Sequence, residues 1–246
     1  MKIFIDSANL TDIEEGLKRG FAQGITTNPM LLAKEPKSSF ELHVNKIIDL
    51  INQYQPGLPL SVEVFSKDPA EMLRQAEQFI KQFNYPQLSI KIQVGWDELE
   101  VIKKLSDQGI SVNCTACMDI TQAIMAARAG AKYVSLFWGR IKDGGIDTDA
   151  EMKAARDDLQ NRKVLDYSDF NPGTVVRSVR QIIDQGNIKA EIIVGSIRGV
   201  TDIRDAGLAG AHIVTVPPKF FPDMMNHFKT EQAVNQFLSA FEQWLS

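Results

Sequence analysis

Cysteine is scarce in this chain, and its scarcity bears on where the protein works. Only two cysteines occur among 246 residues, too few for the disulfide framework of a small secreted protein. We therefore expect a reducing, cytoplasmic environment. Cys114 and Cys117 have the spacing of a CxxC pair, but no second pair accompanies them, so we assign them neither a redox role nor a zinc site.

Metal-ligand clusters and nucleotide-binding motifs are also missing from the sequence. The three histidines are scattered, and no group of His, Asp and Glu has the spacing of a metal site. Neither a GxGxxG fingerprint nor a P-loop occurs, so no nucleotide is implied. We expect a protein that needs no metal and no organic cofactor.

Excess charge of one sign and long apolar runs are absent as well. The formal net charge of −4 gives no reason to expect nucleic acid or an anionic membrane as a partner. No apolar run approaches the roughly 20 residues that a membrane helix needs. The first residues, Met1 to Asp6, lead directly into a strand and lack the longer apolar segment of a signal peptide.

Strand-like and helical segments alternate along the whole chain, which is 44% hydrophobic and 24% charged, as in ordinary globular proteins. Strict alternation implies parallel strands joined by right-handed crossovers, and about eight such units close a barrel. We predict an α/β fold: a single (β/α)₈ TIM barrel over residues 1–246, with a doubly wound open sheet as the alternative. The predicted strands lie near 2–6, 24–28, 60–64, 88–92, 110–115, 133–137, 191–196 and 212–216, and helices near 40–52, 69–82, 96–108, 120–129 and 175–185.

Two segments depart from a minimal barrel. Residues 141–174 are polar and acidic, and we interpret them as one long loop. Long connections in compact domains are usually functional or mobile. Residues 230–245 form a further, C-terminal helix with apolar side chains along one side. That apolar side packs either on its own barrel or on a neighbouring subunit.

Lys91 lies inside Leu88–Ile92, an apolar run that otherwise indicates a buried strand. A lysine there either loses hydration, which favours the neutral amine, or extends its ammonium to an opening. A neutral amine in a dry cleft is a nucleophile for carbonyl groups. Lys91 is therefore a candidate Schiff-base residue, the alternative being a lysine that reaches solvent from the end of a strand.

Side chains alternate along a strand, so position parity shows which residues share a face. One face of the predicted strands is repeatedly apolar, whereas the other carries polar groups near the carboxyl ends of the strands, where barrels have their active sites. The residues on this second face are Asp6, Thr26, Asn28, Glu63, Lys91, Asn113, Thr115, Ser135, Phe137 and Ser196. Polar groups need partners in a packed interior, so a ligand site is expected.

The chemistry of these groups suggests separate roles. An imine former needs a nearby acid and base, and Glu63 with Thr115 could hold a water for that purpose. Asp6 is a second carboxylate, suited to deprotonating a substrate hydroxyl. Asn28 and Asn113 could bind sugar hydroxyls.

Arg140, Ser196 and Arg198 could form an anion clamp at the mouth, because guanidinium groups match phosphate geometry. Simpler alternatives remain for single residues. Asp6 could be a cap, Glu63 a paired charge at a strand end, and either arginine a member of a surface ion pair.

Seven motifs, in order along nearly the whole chain, carry a resemblance to a known family. They are Ile5-Asp6-Ser7-Ala8-Asn9, Gly24-Ile25-Thr26-Thr27-Asn28-Pro29, Ser61-Val62-Glu63-Val64, Ile90-Lys91-Ile92, Asn113-Cys114-Thr115, Ser135-Leu136-Phe137-Trp138-Gly139-Arg140 and Ser196-Ile197-Arg198. With them the chain resembles the transaldolase family, and its small-subunit branch, which includes fructose-6-phosphate aldolases, most of all.

The resemblance implies a role for each matching residue. Lys91 would be the Schiff-base residue, Asp6 and Glu63 the acid/base carboxylates, and Thr115 the partner of the catalytic water. The dihydroxyacetone portion of the substrate would be bound by Asn28, Asn113 and Ser135, and the distal phosphate by Arg140, Ser196 and Arg198. It also implies carbohydrate metabolism, in the pentose phosphate pathway, and a homo-oligomer, pentameric or decameric, with the last helix reaching a neighbour.

Two positions favour a transferase within this family. Fructose-6-phosphate aldolases resemble this chain but have Gln in place of Glu63 and Tyr in place of Phe137. The sequence departs from the family pattern at Gln93, at Leu136 and in the length of the connection after Arg140. Because that connection adjoins the expected clamp, the anion could be phosphate or another group such as sulfonate. The alternatives are a fructose-6-phosphate-type aldolase and a non-catalytic sugar-phosphate binder.

Overall fold

The computed structural model describes residues 1–146 and 149–246. Eight parallel strands close into a barrel in sequence order, with the last strand paired to the first. The strands are β1 (Lys2–Asp6), β2 (Ile25–Thr26), β3 (Leu60–Glu63), β4 (Leu88–Gln93), β5 (Ser111–Cys117), β6 (Tyr133–Phe137), β7 (Glu191–Gly195) and β8 (Ile213–Val216). The predicted (β/α)₈ barrel is confirmed, and the open-sheet alternative is wrong.

Helices follow the strands and cover the outside of the barrel. They are α1 (Leu10–Lys18), α2 (Pro29–Leu32), α3 (Phe40–Tyr54), α4 (Pro69–Phe83), α5 (Glu98–Asp107), α6 (Ile120–Arg128), α7 (Trp138–Gly144), α8 (Ala150–Asn161), α9 (Pro172–Gln185), α10 (Val200–Leu208), α11 (Phe221–Met224) and α12 (Phe228–Leu245), with 3₁₀ turns at Tyr167–Phe170 and Pro218–Phe220. The helices predicted for residues 40–52 and 69–82 appear within two residues of the predicted ends. Among the described helices, none is long and apolar enough to cross a membrane.

The core has two parts, and their arrangement positions the mouth of the barrel. The larger part lies between the strands and the helices. The smaller part fills the amino-terminal end of the barrel with Phe4, Tyr133, Ile193 and Ile213, all 2% exposed or less. Because side chains of one parity face the interior, the next inward positions along these strands lie above that apolar plug. Three of these positions hold polar side chains, Asp6, Ser135 and Thr215, and the fourth is Gly195. The polar end of the interior is therefore the carboxyl end of the strands.

The long loop predicted over residues 141–174 is wrong in part, because this segment contains helices. It includes most of α7, all of α8, the Tyr167–Phe170 turn and the start of α9, while residues 147–148 lie outside the described residues. Asp149 caps α8 by accepting a hydrogen bond from the Met152 N–H. No residue of α8 is buried, and its few apolar side chains, among them Met152 and Leu159, line a cavity and do not join the core. The polar composition of the segment therefore indicated a loop.

The C-terminal helix α12 begins two residues before its predicted start and has no buried residue. Its large apolar side chains are exposed, Phe237 by 71% and Trp244 by 78%. The first of the two expected arrangements, in which this apolar side packs on its own barrel, is therefore not what the structure shows. An apolar helix face of this size is typical of a protein interaction surface.

Candidate active site

Lys91 lies at the carboxyl half of β4, inside the mouth, and is 6% exposed. Its Nζ donates a hydrogen bond to the Thr27 carbonyl oxygen at 2.8 Å and lies 2.9 Å from Glu63 Oε2. Glu63 and Lys91 are directly paired across β3 and β4, and Lys91 is paired in turn with Asn113 of β5. The lysine therefore points into the interior. This excludes the alternative in which Lys91 reaches solvent from the end of the strand.

Asp6 is the second carboxylate of the mouth and lies at the end of β1. It accepts a hydrogen bond of 2.8 Å from the Thr26 hydroxyl, which is itself 2.5 Å from the Thr215 hydroxyl. Burial raises the pKa of Asp6, and the positive charge of Lys91 opposes that rise without cancelling it. Asp6 is thus a carboxylate that holds a proton more tightly than a free one, close enough to Lys91 to feel its charge.

A chain of hydrogen bonds fixes the amide of Asn113. The Ser135 hydroxyl donates to Asn113 Oδ1 at 2.7 Å, and Asn113 Nδ2 donates to Ser61 Oγ at 3.2 Å. All three side chains are buried, so the chain links β3, β5 and β6 beside Lys91. These three neutral side chains therefore fix each other's orientation in the mouth by hydrogen bonds alone.

Thr115 is buried, and its hydroxyl has no hydrogen-bond partner among the described residues. It lies on β5 opposite Gln93, one position before Ala116, whose φ of +63° is unusual for a residue with a side chain. Strand β5 bulges between Cys114 and Cys117 at this point. A buried hydroxyl without a protein partner is where a water or a substrate group would bind.

The remaining predicted binders at the mouth have mixed surroundings. Asn28 caps α2, because its Oδ1 accepts the Leu31 N–H at 3.0 Å, which uses one of the two lone pairs of that oxygen. The Thr26 hydroxyl is already engaged with Asp6. Phe137 ends β6 at the rim of the barrel and is partly exposed.

The predicted anion clamp contains a competing group that the sequence analysis did not include. Both terminal nitrogens of Arg198 are bonded to the Asp143 carboxylate, with Nη1 2.7 Å from Oδ1. The surface ion pair considered as an alternative for Arg198 is therefore present. Ser196, with a φ of +58°, lies two residues before Arg198, whereas Arg140 is exposed on α7 and lines a cavity of about 690 Å³ beside α6 and α8.

Two other residues contact predicted site residues but had no role assigned to them from the sequence. Thr215 bonds to Thr26 and Ser61 to Asn113. Thr215 is the one polar residue of β8, and Ser61 shares the inward face of β3 with Glu63, so this signal was available in the sequence. Asp143 had no such signal, because its partner Arg198 lies 55 residues away along the chain.

The CxxC pair lies outside the mouth, on the side of β5 that faces the helices. Both cysteines are fully buried and free, with sulfur atoms 3.9 Å apart. The hydrogen bond to Cys114 and burial raise the pKa of the Cys117 thiol, so it stays protonated and unreactive. Within the described residues, no three His, Cys, Asp or Glu side chains come together as metal ligands.

Fold and site together define a (β/α)₈-barrel enzyme whose mouth holds one buried amine, two carboxylates and an unpartnered hydroxyl. The sequence matches the model of the transaldolase/fructose-6-phosphate aldolase family over residues 3–245. The chain belongs to this family of enzymes, and the resemblance carried by its seven motifs is confirmed.

Individual relatives are similar over almost their full length. A probable transaldolase of Alkaliphilus metalliredigens is 36% identical over 242 residues, covering 98% of each chain. Probable transaldolases of Dehalococcoides mccartyi and Carboxydothermus hydrogenoformans are each 34% identical, covering 97% and 98% of both chains, respectively. The similarity therefore extends from β1 through α12, including the segment that carries α8.

Proposed function

We propose that this enzyme is a transaldolase-type transferase that moves a dihydroxyacetone unit from a ketose phosphate, or a similar anionic ketose, to an aldose phosphate. The observation that carries the proposal is the buried Lys91 amine, 2.9 Å from the Glu63 carboxylate in the mouth of the barrel. Relatives with 34–36% identity that are called probable transaldolases support it. The chemistry would proceed through a Schiff base on Lys91 and would need no metal or organic cofactor.

Imine formation begins with loss of a proton from the Lys91 ammonium, and the adjacent Glu63 carboxylate accepts it. The neutral amine adds to the ketone carbonyl, forming a C–N bond and a carbinolamine. Glu63 then returns its proton to the departing hydroxyl, so that water leaves as the imine forms. The unpartnered Thr115 hydroxyl would hold that water.

Carbon–carbon cleavage requires a base for the substrate hydroxyl next to the bond that breaks. Asp6 takes that proton, an aldehyde leaves, and the bonding electrons move into the imine to give an enamine on Lys91. The raised pKa of Asp6 suits a base that must hold the proton until it is returned. When an aldehyde acceptor enters, the same steps run in reverse and form a new ketose.

The neutral polar groups would bind the three-carbon unit. We assign its hydroxyls to Asn113 and Ser135, whose positions are fixed by their mutual hydrogen bond, and to the free amide nitrogen of Asn28. Thr26 would act through Asp6, and Phe137 would border the enamine. Arg140, Ser196 and Arg198 would bind the distal anionic group, so the partners are sugar phosphates or similar anionic sugars, without nucleic acid or membrane, in the cytoplasm.

Transfer and simple aldol cleavage are distinguished by the fate of the enamine. The apolar Phe137 at the rim supplies no hydroxyl to activate water for release, which favours a wait for the acceptor. An aldolase would instead release free dihydroxyacetone. A non-catalytic binder, the third possibility, would have no use for a buried amine beside a carboxylate.

Product analysis tests this proposal. Fructose 6-phosphate alone should yield at most one equivalent of glyceraldehyde 3-phosphate per site, and addition of erythrose 4-phosphate should start continuous turnover without free dihydroxyacetone. Continuous release of dihydroxyacetone in the absence of an acceptor would identify an aldolase. Binding without any product would identify the non-catalytic alternative.

We also propose a ring-type homo-oligomer, a pentamer or a decamer, in which the exposed apolar side of α12 contacts a neighbour. Removal of residues 228–246 should then reduce the mass measured by light scattering. The double variant F237S/F241S removes two exposed rings from that side and should act in the same direction. The matched variant Q236S/Q243S should keep the wild-type mass, and an unchanged mass for F237S/F241S would contradict the proposal.

A further inference from the structure

The guanidinium group of Arg198 already has a carboxylate on one of its edges in this structure. The edge formed by its two terminal nitrogens is bonded to both oxygens of Asp143. The Nε side lies against Gly139, so closely that a Cβ at that glycine would be 2.5 Å from Nε. An anion entering the proposed clamp therefore meets an arginine that already has a carboxylate partner.

The two partners are held by neighbouring parts of the barrel. The Arg198 N–H donates to Asp202 Oδ2 at 2.9 Å, and the Trp138 indole donates to the other oxygen of Asp202 at 3.1 Å. Trp138 is the first residue of α7, the helix that carries Asp143. Asp202 thereby links the backbone at Arg198 to the start of α7. This link holds Asp143, which lies on α7, close to Arg198.

The pair is stable enough to persist and weak enough to exchange. Arg198 lowers the pKa of Asp143, so the carboxylate is ionised at neutral pH. The two side chains are 55% and 37% exposed, and exposed ion pairs contribute little to stability. A bidentate carboxylate also has the geometry with which arginine binds phosphate or sulfonate oxygens.

We propose that Asp143 is a specificity-determining residue that occupies Arg198 in place of the substrate's anionic group and is displaced when that group binds. This inference rests on the proposed function, because it assumes an anionic substrate at Arg198. It adds to that function that the Asp143 carboxylate competes with the anionic end of the substrate for Arg198. Affinity for the neutral three-carbon end of the substrate is independent of Asp143.

The test measures borohydride-trapped adduct on Lys91 as a function of sugar concentration for the wild type and D143N. The fructose 6-phosphate concentration that gives half of the maximal adduct should be about three- to fivefold lower in D143N than in the wild type, as expected for loss of a competing surface ion pair. The maximal amount of adduct should be unchanged. The half-saturating concentration of dihydroxyacetone, which has no anionic group, should be the same in both proteins. D107N, which alters an exposed ion pair with Lys103 at the other end of the barrel, should change neither value.

Contrary results are well defined. A higher half-saturation for fructose 6-phosphate in D143N would show that Asp143 positions Arg198 for binding, and equal shifts for both sugars would show a general disturbance of the site; either result, or no shift, would overturn the proposal. Calorimetry with inorganic phosphate needs no imine and should show the same three- to fivefold tighter binding by D143N. If neither sugar forms an adduct on the wild type, the proposed function fails, whereas the phosphate measurement still decides the role of Asp143.

Discussion

Replacement of Lys91 by Met should abolish transfer, with a loss in kcat/KM of at least about 10⁴-fold. The variant keeps the length of the side chain but removes the amine that forms the imine. Lys91→Arg should be equally inactive, because a guanidinium stays protonated and cannot add to a carbonyl. Steady-state rates with fructose 6-phosphate and erythrose 4-phosphate provide the measurement.

The Lys91 variants also need a control for folding, since Lys91 and Glu63 form an ion pair in the mouth. Lys91→Met leaves the Glu63 carboxylate, 20% exposed, without its cation, which can cost up to about 3 kcal/mol. Lys91→Arg keeps a positive charge, and K91M/E63Q removes both charges, so both variants should unfold at higher temperature than K91M. Residual transfer by a folded K91M/E63Q enzyme would contradict a covalent role for Lys91.

Replacement of Asp6 by Asn should lower kcat about 10²- to 10⁴-fold, the range typical of a lost general base. The same replacement should increase the stability of the folded protein. Burial raises the pKa of Asp6 in the folded state, so ionisation costs folding free energy. That cost begins as the pH rises through the pKa of the unfolded chain and is complete above the folded pKa.

Thermal unfolding at two pH values tests this second prediction. At pH 7 D6N should unfold at a higher temperature than the wild type, and the difference should shrink in acid, where the Asp6 carboxyl is protonated in both states. The acid limb of the wild-type kcat profile should lie above the pH at which a free carboxyl titrates. A D6N variant that is less stable at pH 7, or fully active, would contradict the assignment of Asp6 as a catalytic base whose ionisation is opposed by burial.

The barrel and most of its mouth could be predicted because both depend on short-range periodicity. Alternation along β3, β4 and β5 shows that Glu63, Lys91 and Asn113 share a face, and closure of a parallel barrel brings them into one row. The direct contact between Lys91 and Glu63 follows from strand register. That register was not predicted from the sequence; the structure places Glu63 directly opposite Lys91.

Features that depend on long-range contacts or on weak patterns could not be predicted. Helix α8 has few apolar residues and none that is buried, so its segment resembles a loop in sequence. Asn28 serves as a helix cap, and nothing in the sequence alone distinguishes a capping amide from a ligand-binding one. The pairing of Asp143 with Arg198 joins α7 to the turn after β7, and only the folded barrel brings them together.

The most direct test of the central claim is borohydride trapping with fructose 6-phosphate, followed by peptide mass spectrometry, with and without erythrose 4-phosphate. The account predicts a three-carbon adduct on Lys91 and on no other lysine, and predicts that the acceptor removes this adduct as transfer is completed. An unmodified Lys91 under conditions in which the enzyme turns over would contradict the imine mechanism.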